Sequence, residues 1–334
     1  MTAACTILIP THNRHHYLDR CVRWFLDLPY PIVVADSSAT GWQSELRAHE
    51  GVRYSHMPGG FEVYLPKLQK GLAAIETPYV AMCADDDFIT ADGLTQSVRF
   101  LDAHPDYSFC QGYAYSFQAF DGHVVAWPIA YTRHDLARAD WVDRVERADH
   151  TVYYGVNRTK VLRNSIDFLA RQDFAEITDA MPAFVDLCLT TNAARSGKFK
   201  RVNVPFGLRE YSPYIQTTGT RPATLLSRNI PDFYRNLLTW LMAGENSDAV
   251  RNRLLRVFSR DYANLIMFDL AGGRRRKGFV ALFGAALARR IEFLYRLWTA
   301  TRAYASWTYG PAAKLFWHPE YRRLKQFVLP MEGR

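Results

Sequence analysis

At 334 residues, 49% of them apolar, the chain is long enough for one large α/β domain with a smaller appendage and can fill a real core, which excludes disorder as its main state. Its five cysteines, Cys5, Cys21, Cys83, Cys110 and Cys188, are scattered without CxxC spacing, which argues against a disulfide framework or zinc site and for a reducing cytosol. The net charge of +8 is uneven: residues 274–334 hold 13 Lys and Arg against 3 Asp and Glu, a net +10, which leaves residues 1–273 at −2.

The first residues carry no basic leader, so no signal peptide is expected, and no window reaches the roughly 18 to 20 apolar residues of a membrane span. Residues 5–9 read as a strand ended by Pro10, and residues 15–27 as a helix with Leu18, Val22, Phe25 and Leu26 at helical spacing. A second strand, 31–35, ends at Asp36-Ser37-Ser38. A weaker third, 52–55, precedes the turn Met57-Pro58-Gly59-Gly60. A helix from about Val63 to Ile75 leads to the apolar run 78–83, which delivers Ala84-Asp85-Asp86-Asp87-Phe88. Strands alternating with helices predict βαβ units and a largely parallel sheet. Ligands of such sheets bind beyond the carboxyl ends of the strands, where Thr11, Asp36 and the three aspartates all fall.

Three adjacent carboxylates repel, and each raises its neighbours' pKa, so a cluster at the end of a buried strand calls for a cation. Hard oxygen ligands of this kind suit Mg²⁺ or Mn²⁺, which in turn binds phosphate. The alternative is a solvated acidic turn capping a helix that begins near Thr90.

From about Asp106 the pattern changes to aromatic-rich strands at 107–115 and 124–127, helices near 161–171 and 180–194, and a closing strand at 199–204. Beyond about Arg221 only helices are expected, without internal repeats. The domains are therefore read as 1–220, an α/β body, and 221–334, a helical region that is basic from 274. Arg274-Arg275-Arg276-Lys277 precedes a stripe of Phe283, Leu287, Ile291, Leu294 and Trp298, with Trp307, Phe316 and Trp317 beyond. Such a basic, aromatic segment suits the anionic inner face of the plasma membrane. A packed helix or a homo-oligomer interface is the alternative. With no recognised binding module in the body, nucleic acid is not expected as a partner.

Thr6-Ile7-Leu8-Ile9-Pro10-Thr11-His12-Asn13-Arg14, a strand ending at Asp36, and Asp85-Asp86-Asp87 after a strand together resemble a family 2 glycosyltransferase, over about residues 4 to 210. The resemblance implies the GT-A fold, a Rossmann-like, mostly parallel central sheet, here followed by the helical C-terminal region. In that family the first strand's loop and the Asp after the second strand hold the nucleobase, which implies donor-binding roles for Pro10, Thr11, Arg14 and Asp36. Lys67 lies where a basic residue often serves the diphosphate. Many relatives read Asp-x-Asp-Asp, and Ala84 stands in the first Asp's place if the final pair is aligned. Asp85 and Asp87 are therefore taken as the metal-binding pair, with Asp85 and Asp86 also at the donor.

A divalent cation held by Asp87 would offset charge on a nucleoside-diphosphate leaving group, and the acceptor hydroxyl needs a base on the opposite face of the sugar. Glu176, Asp179 and Asp186 are the candidates. In relatives an acidic residue sits immediately before a helix leading to a Gly and a closing strand. Val185-Asp186-Leu187, followed by Gly197-Lys198-Phe199-Lys200, matches that layout best, so Asp186 is taken as the catalytic base, with a plain helix-face carboxylate as the alternative. His12, His15 and His16 are assigned no metal. Arg209-Glu210-Tyr211 is expected on a loop over the donor or on the surface.

The expected function is metal-dependent, inverting transfer of a sugar from a nucleotide-diphosphate donor to a hydroxyl of a glycan or lipid-linked acceptor, in bacterial capsule or other surface polysaccharide synthesis, by a cytoplasmic or membrane-peripheral enzyme. A nucleotidyltransferase and a non-catalytic polysaccharide-assembly subunit are the alternatives. The glycine-free opening 10–14 argues against the first, and the retained acidic cluster against the second.

Overall fold

The structure is a computed structural model that describes residues 4–120, 123–129, 135–148, 152–175, 181–211, 229–270, 315 and 318–329. Its elements, in chain order, are β1 (Cys5–Thr11), α1 (His15–Leu26), β2 (Ile32–Asp36), β3 (Val52–His56), α2 (Tyr64–Ala73), β4 (Tyr79–Met82), β5 (Phe88–Ile89), α3 (Ala91–Ala103), β6 (Tyr107–Phe120) and β7 (His123–Pro128). There follow α4 (Trp141–Arg147), β8 (Val156–Arg158), α5 (Thr159–Leu169), α6 (Met181–Ser196), β9 (Lys198–Glu210), α7 (Asn229–Leu241), α8 (Asp248–Leu270) and α9 (Pro319–Val328).

The strands form one sheet in the order β3-β2-β1-β4-β8-β6-β9-β5, with β7 paired to β6. The run β3-β2-β1-β4 is parallel, as is β6 with β9. The pairs β4–β8, β6–β8, β6–β7 and β5–β9 are antiparallel. Every residue of β2 and β4 is buried, because helices cover both faces of the sheet, and this is why these strands read as unbroken apolar runs. Successive side chains alternate between two cores. Leu8, Val33, Val80 and Met82 pack with α2, α5, α6, α7 and α8. Ile7, Ile9, Ile32, Val34 and Ala81 pack with α1, α3 and α9. The fit of α2 against the sheet is close enough that a Cβ on Gly71 would stand 2.9 Å from Leu8 Cδ1.

Several details differ from the sequence reading: β1 continues through Pro10 to Thr11, and β6 runs on to Phe120. The acidic triplet is followed by the short strand β5 before α3 begins, and it is Thr90 whose hydroxyl caps that helix, accepting from Gly93 N at 3.1 Å. The short elements α4 and β8 are additions to the expected pattern. The closing strand runs to Glu210 instead of stopping near Val204. The C-terminal helices also share the cores of the sheet: α7 and α8 contribute Leu237, Leu241 and Leu254 to one, and α9 contributes Tyr321, Leu324 and Val328 to the other.

The α9 helix is tied to the N-terminal half by polar contacts as well. Tyr321 Oη donates to Val124 O at 2.8 Å, Arg323 to Trp24 O at 2.6 Å, and Glu320 Oε1 accepts from Ala91 N at 2.7 Å and Asp92 N at 3.3 Å, satisfying two amides that open α3. No helix among the described residues is long and apolar enough to cross a membrane. The basic run 274–277, the apolar stripe from Phe283 to Trp298, and Trp307, Phe316 and Trp317 lie outside the described residues.

Candidate active site

In the parallel register Thr11, the last residue of β1, lies opposite Asp36, the last of β2. On its other side β1 pairs with β4, and Cys83 N continues that ladder by donating to Leu8 O at 3.0 Å. The chain therefore steps outward from β1 to β2 and β3 and then crosses back to β4, which makes the β1–β4 seam the point where strand order reverses and where such sheets open a crevice. Ala84–Asp87 turn across its mouth, Asp87 N donating to Ala84 O at 3.1 Å. Thr11 Oγ1 closes the seam with a 2.6 Å hydrogen bond to Asp85 Oδ2.

At the β2 end of this mouth, Asp36 is fully buried and has four donors. Ser38 N and Oγ reach Oδ1 at 2.8 and 2.5 Å, while Tyr54 Oη and His15 Nε2 reach Oδ2 at 2.8 and 3.0 Å. Burial favours the neutral acid, but these hydrogen bonds outweigh it and hold the carboxyl below its ordinary range. Asn13, in the loop after β1, has φ 55°, a left-handed conformation uncommon outside glycine. Its N–H donates to Ser38 Oγ at 2.7 Å and its Oδ1 accepts from Ala39 N at 3.1 Å, so the β1 and β2 loops hold one another. Lys67 lies beneath both: its buried ammonium donates to Thr11 O at 2.7 Å and Ser37 Oγ at 2.9 Å. Burial lowers its pKa to about 8, against the pull of Asp36 and Asp85. Pro10 is the penultimate residue of β1, paired with Ala35.

The acidic triplet is buried and is partly compensated by the protein itself. Arg14 sits on it: Nη1 is 3.4 Å from Asp85 Oδ1, and Nη2 bonds Asp86. Part of the charge compensation for which the sequence calls on a cation is thus supplied by the Arg14 guanidinium. The compensation is incomplete. Burial lifts Asp85 to about 6 against Arg14 and Thr11, and burial and then Asp86 push Asp87 well above its ordinary range despite Arg209 and the Glu210 N–H.

Mg²⁺ and Mn²⁺ are usually held by one or two carboxylates plus substrate phosphates and waters, not by an all-protein cage. Among the described residues no group of three or more His, Cys, Asp or Glu forms such a cage. Hard carboxylate oxygens, undercompensated and at a strand's carboxyl end, fit the smaller donor set.

Arg209 and Glu210 belong to β9, which corrects their expected position on a loop. Arg209 and Asp87 line one small cavity with Tyr154, whose ring lies 5.3 Å from the Arg209 guanidinium carbon. Asp186 belongs to the same neighbourhood, since after burial it is the charges of Asp87, Arg209 and Asp186 that act on the Tyr154 hydroxyl. It lies inside α6 instead of immediately before it. Burial lifts its carboxyl to about 7, opposed by Arg209, and its charge acts in turn on Tyr64 of α2. Glu176 and Asp179 lie outside the described residues. Sequence reasoning passes over Tyr54 and Arg20 and gives His15 no role at Asp36, although the parallel β2–β3 register, with Asp36 opposite His56, is a signal that β3 side chains end beside Asp36.

Residues 6–154 match the family model described as glycosyl transferase family 2. No curated protein matches the chain. Among solved structures, that of S. aureus TarS aligns with a TM-score of 0.50 and 15% identity, over 77% of this chain and 43% of that one. S. aureus TarS 1-349 in complex with UDP aligns with a TM-score of 0.50 and 14% identity, over 77% of this chain and 70% of that one. The complex with UDP-GlcNAc gives a TM-score of 0.50 and 14% identity, over 77% and 71%. The present chain thus matches less than half the length of the TarS chain. At these identities the likeness establishes the fold, the GT-A arrangement implied by the sequence.

Proposed function

We propose that this chain, which carries a family 2 glycosyltransferase domain over residues 6–154, moves a sugar from a nucleoside-diphosphate donor to a hydroxyl of a glycan or lipid-linked acceptor. The observation that carries the reading is the junction at the β1–β4 seam, where Thr11 and Asp85 are bonded, Asp36 stands opposite Thr11, and Asp87 shares a cavity with Arg209 and Tyr154. The nucleoside is assigned to Asp36 and the β1 loop, and the diphosphate to the acidic triplet. The TarS complexes with UDP and UDP-GlcNAc make a uridine donor the first to test.

In the mechanism that follows, Asp87 and Asp85 would hold Mg²⁺ or Mn²⁺, which when bound offsets the charge that develops on the leaving diphosphate. Arg14 supports Asp85 and Asp86 from the solvent side, and Arg209 adds a positive charge near Asp87. Asp186 takes the proton from the attacking hydroxyl, and a carboxyl with a pKa of about 7 is well matched to that task near neutral pH. Attack from the side opposite the leaving group inverts the anomeric centre. The product class we propose is a bacterial surface glycan, made on the cytoplasmic side of the membrane.

The test is incubation of purified protein with a panel of nucleotide sugars and Mn²⁺, following nucleotide release and product mass. Release from one donor, enhanced by an acceptor glycan, supports the reading; no release from any donor and no added sugar mass on any acceptor contradicts it.

A further inference from the structure

We propose that Arg20 and Glu210 form a brace that positions Asp87, presenting one defined carboxylate oxygen to the donor. Arg20, on α1, is 6% exposed. Its Nη2 donates to Asp86 O at 3.1 Å and also bonds the Glu210 carboxylate. The backbone N–H of Glu210 in turn donates to Asp87 Oδ1 at 2.9 Å. The register of β5 with β9, Phe88 opposite Leu208, sets the last two residues of β9 beside Asp87 and Asp86. A ring is thereby closed from the Asp86 carbonyl through Arg20 and Glu210 to Asp87. With Oδ1 taken by the Glu210 N–H, Oδ2 is the oxygen offered to the donor side. The guanidinium is held by Phe88 and Tyr17, whose ring centroids lie 5.0 and 5.2 Å from its carbon.

The pair is poorly explained by stability alone. Removing two charges from water costs about what their attraction returns, and apolar replacements of buried pairs are often neutral or stabilising. What the pair supplies is geometry. Its charges cancel, so it fixes the main chain of Asp86 and the side chain of Asp87 without spending the positive charge that Arg14 places on Asp85 and Asp86. The inference rests on the transferase reading above, which needs Asp87 aimed at the donor.

The test compares wild type, Arg20→Lys, Glu210→Gln and the double variant Arg20→Met with Glu210→Met. Three quantities are measured: the unfolding midpoint, steady-state transfer, and Mn²⁺ affinity in the presence of UDP by electron paramagnetic resonance of the free ion. The single variants should lose at least 10-fold in kcat and weaken Mn²⁺ binding several-fold, with donor KM within about 2-fold, because the nucleoside end at Asp36 is untouched. The double variant should regain the wild-type unfolding midpoint but not kcat or Mn²⁺ affinity. If it regains all three, the pair is only packing and the brace is overturned. Single variants that fold and match wild type in kcat and Mn²⁺ affinity overturn it equally. A wild type that binds neither Mn²⁺ nor UDP overturns the transferase reading, and the brace falls with it.

Discussion

Thr11 Oγ1 donates a 2.6 Å hydrogen bond to Asp85 Oδ2, joining the end of β1 to the turn after β4 across the seam where strand order reverses. Both groups are buried, so the bond is made away from water, and Thr11 O also accepts from Lys67. One threonine therefore ties the end of β1, which we assign to the nucleoside, to the acidic turn, which we assign to the diphosphate. Thr11→Val keeps the shape and removes the hydroxyl. It should cost about 1 to 3 kcal/mol of interaction at Asp85, the usual penalty for stripping a partner from a buried charged acceptor. The expected readout is a fall of about 5- to 150-fold in kcat/KM for the donor, with circular dichroism unchanged. Wild-type kcat/KM would remove Asp85 from the donor site.

Asp186 should trade stability for activity. Its carboxyl titrates near 7 in the folded protein because of burial, opposed by Arg209, against an ordinary 3.8. The folded state keeps a proton that the unfolded chain has released, so the residue costs nothing below about pH 4, costs increasingly as pH rises, and costs most above pH 7. Asp186→Asn should raise the unfolding midpoint at pH 8 and leave it unchanged at pH 4, while transfer falls at least 100-fold. In wild type, transfer should decline as pH drops below about 7 and the base is protonated. Tyr64, Tyr154 and Arg209 face this carboxyl and remain in place in the variant. An Asn variant that transfers sugar at the wild-type rate would move the base elsewhere, with Glu176 and Asp179 the next to substitute.

The α9 helix changes how the basic segment should be tested. Leu324 is fully buried against the same core as α1 and α3, so Leu324→Ala should cost about 2 to 5 kcal/mol and lower the unfolding midpoint. Ending the chain at residue 273 would remove α9 as well, and any loss of membrane binding would be confounded with loss of this core. Substituting Arg274, Arg275, Arg276 and Lys277 together with Gln avoids this. If the segment contacts anionic lipid, the variant should float less with phosphatidylserine vesicles than wild type at low salt, each basic residue having contributed about 1 kcal/mol. Equal flotation, or none by either protein, would leave the segment without a membrane role.

Much of the site is legible in the sequence because burial on both faces turns β1, β2 and β4 into largely apolar runs, each delivering a polar residue at or just beyond its carboxyl end. That pattern alone places Thr11, Asp36 and the three aspartates at one crevice. The other half of the site is hidden for local reasons. After Val204 the sequence reads Pro205-Phe206-Gly207, which looks like a strand ending in a turn. The strand continues because register shifts near Tyr113 accommodate the proline, and this carries Arg209 and Glu210 to the acidic triplet. The two residues of β5 are too few to show a period. Arg20 carries no signal in the sequence, since only tertiary contact with β9 and Phe88 gives its charge a reason to be buried.

The central claim, that the β1–β4 seam binds a nucleoside diphosphate through a divalent cation on Asp87, is tested most directly by calorimetric titration of UDP and other nucleoside diphosphates into wild type and Asp87→Asn, with Mn²⁺ and with EDTA. The account predicts binding by wild type in Mn²⁺, weakened at least 10-fold by EDTA and by Asp87→Asn, and a fall in kcat of about two orders of magnitude in the variant, the scale on which lost electrostatic stabilisation is felt. Equal affinity for a nucleoside diphosphate with Mn²⁺, with EDTA and in Asp87→Asn would contradict the metal role, and no binding of any nucleoside diphosphate would contradict the account as a whole.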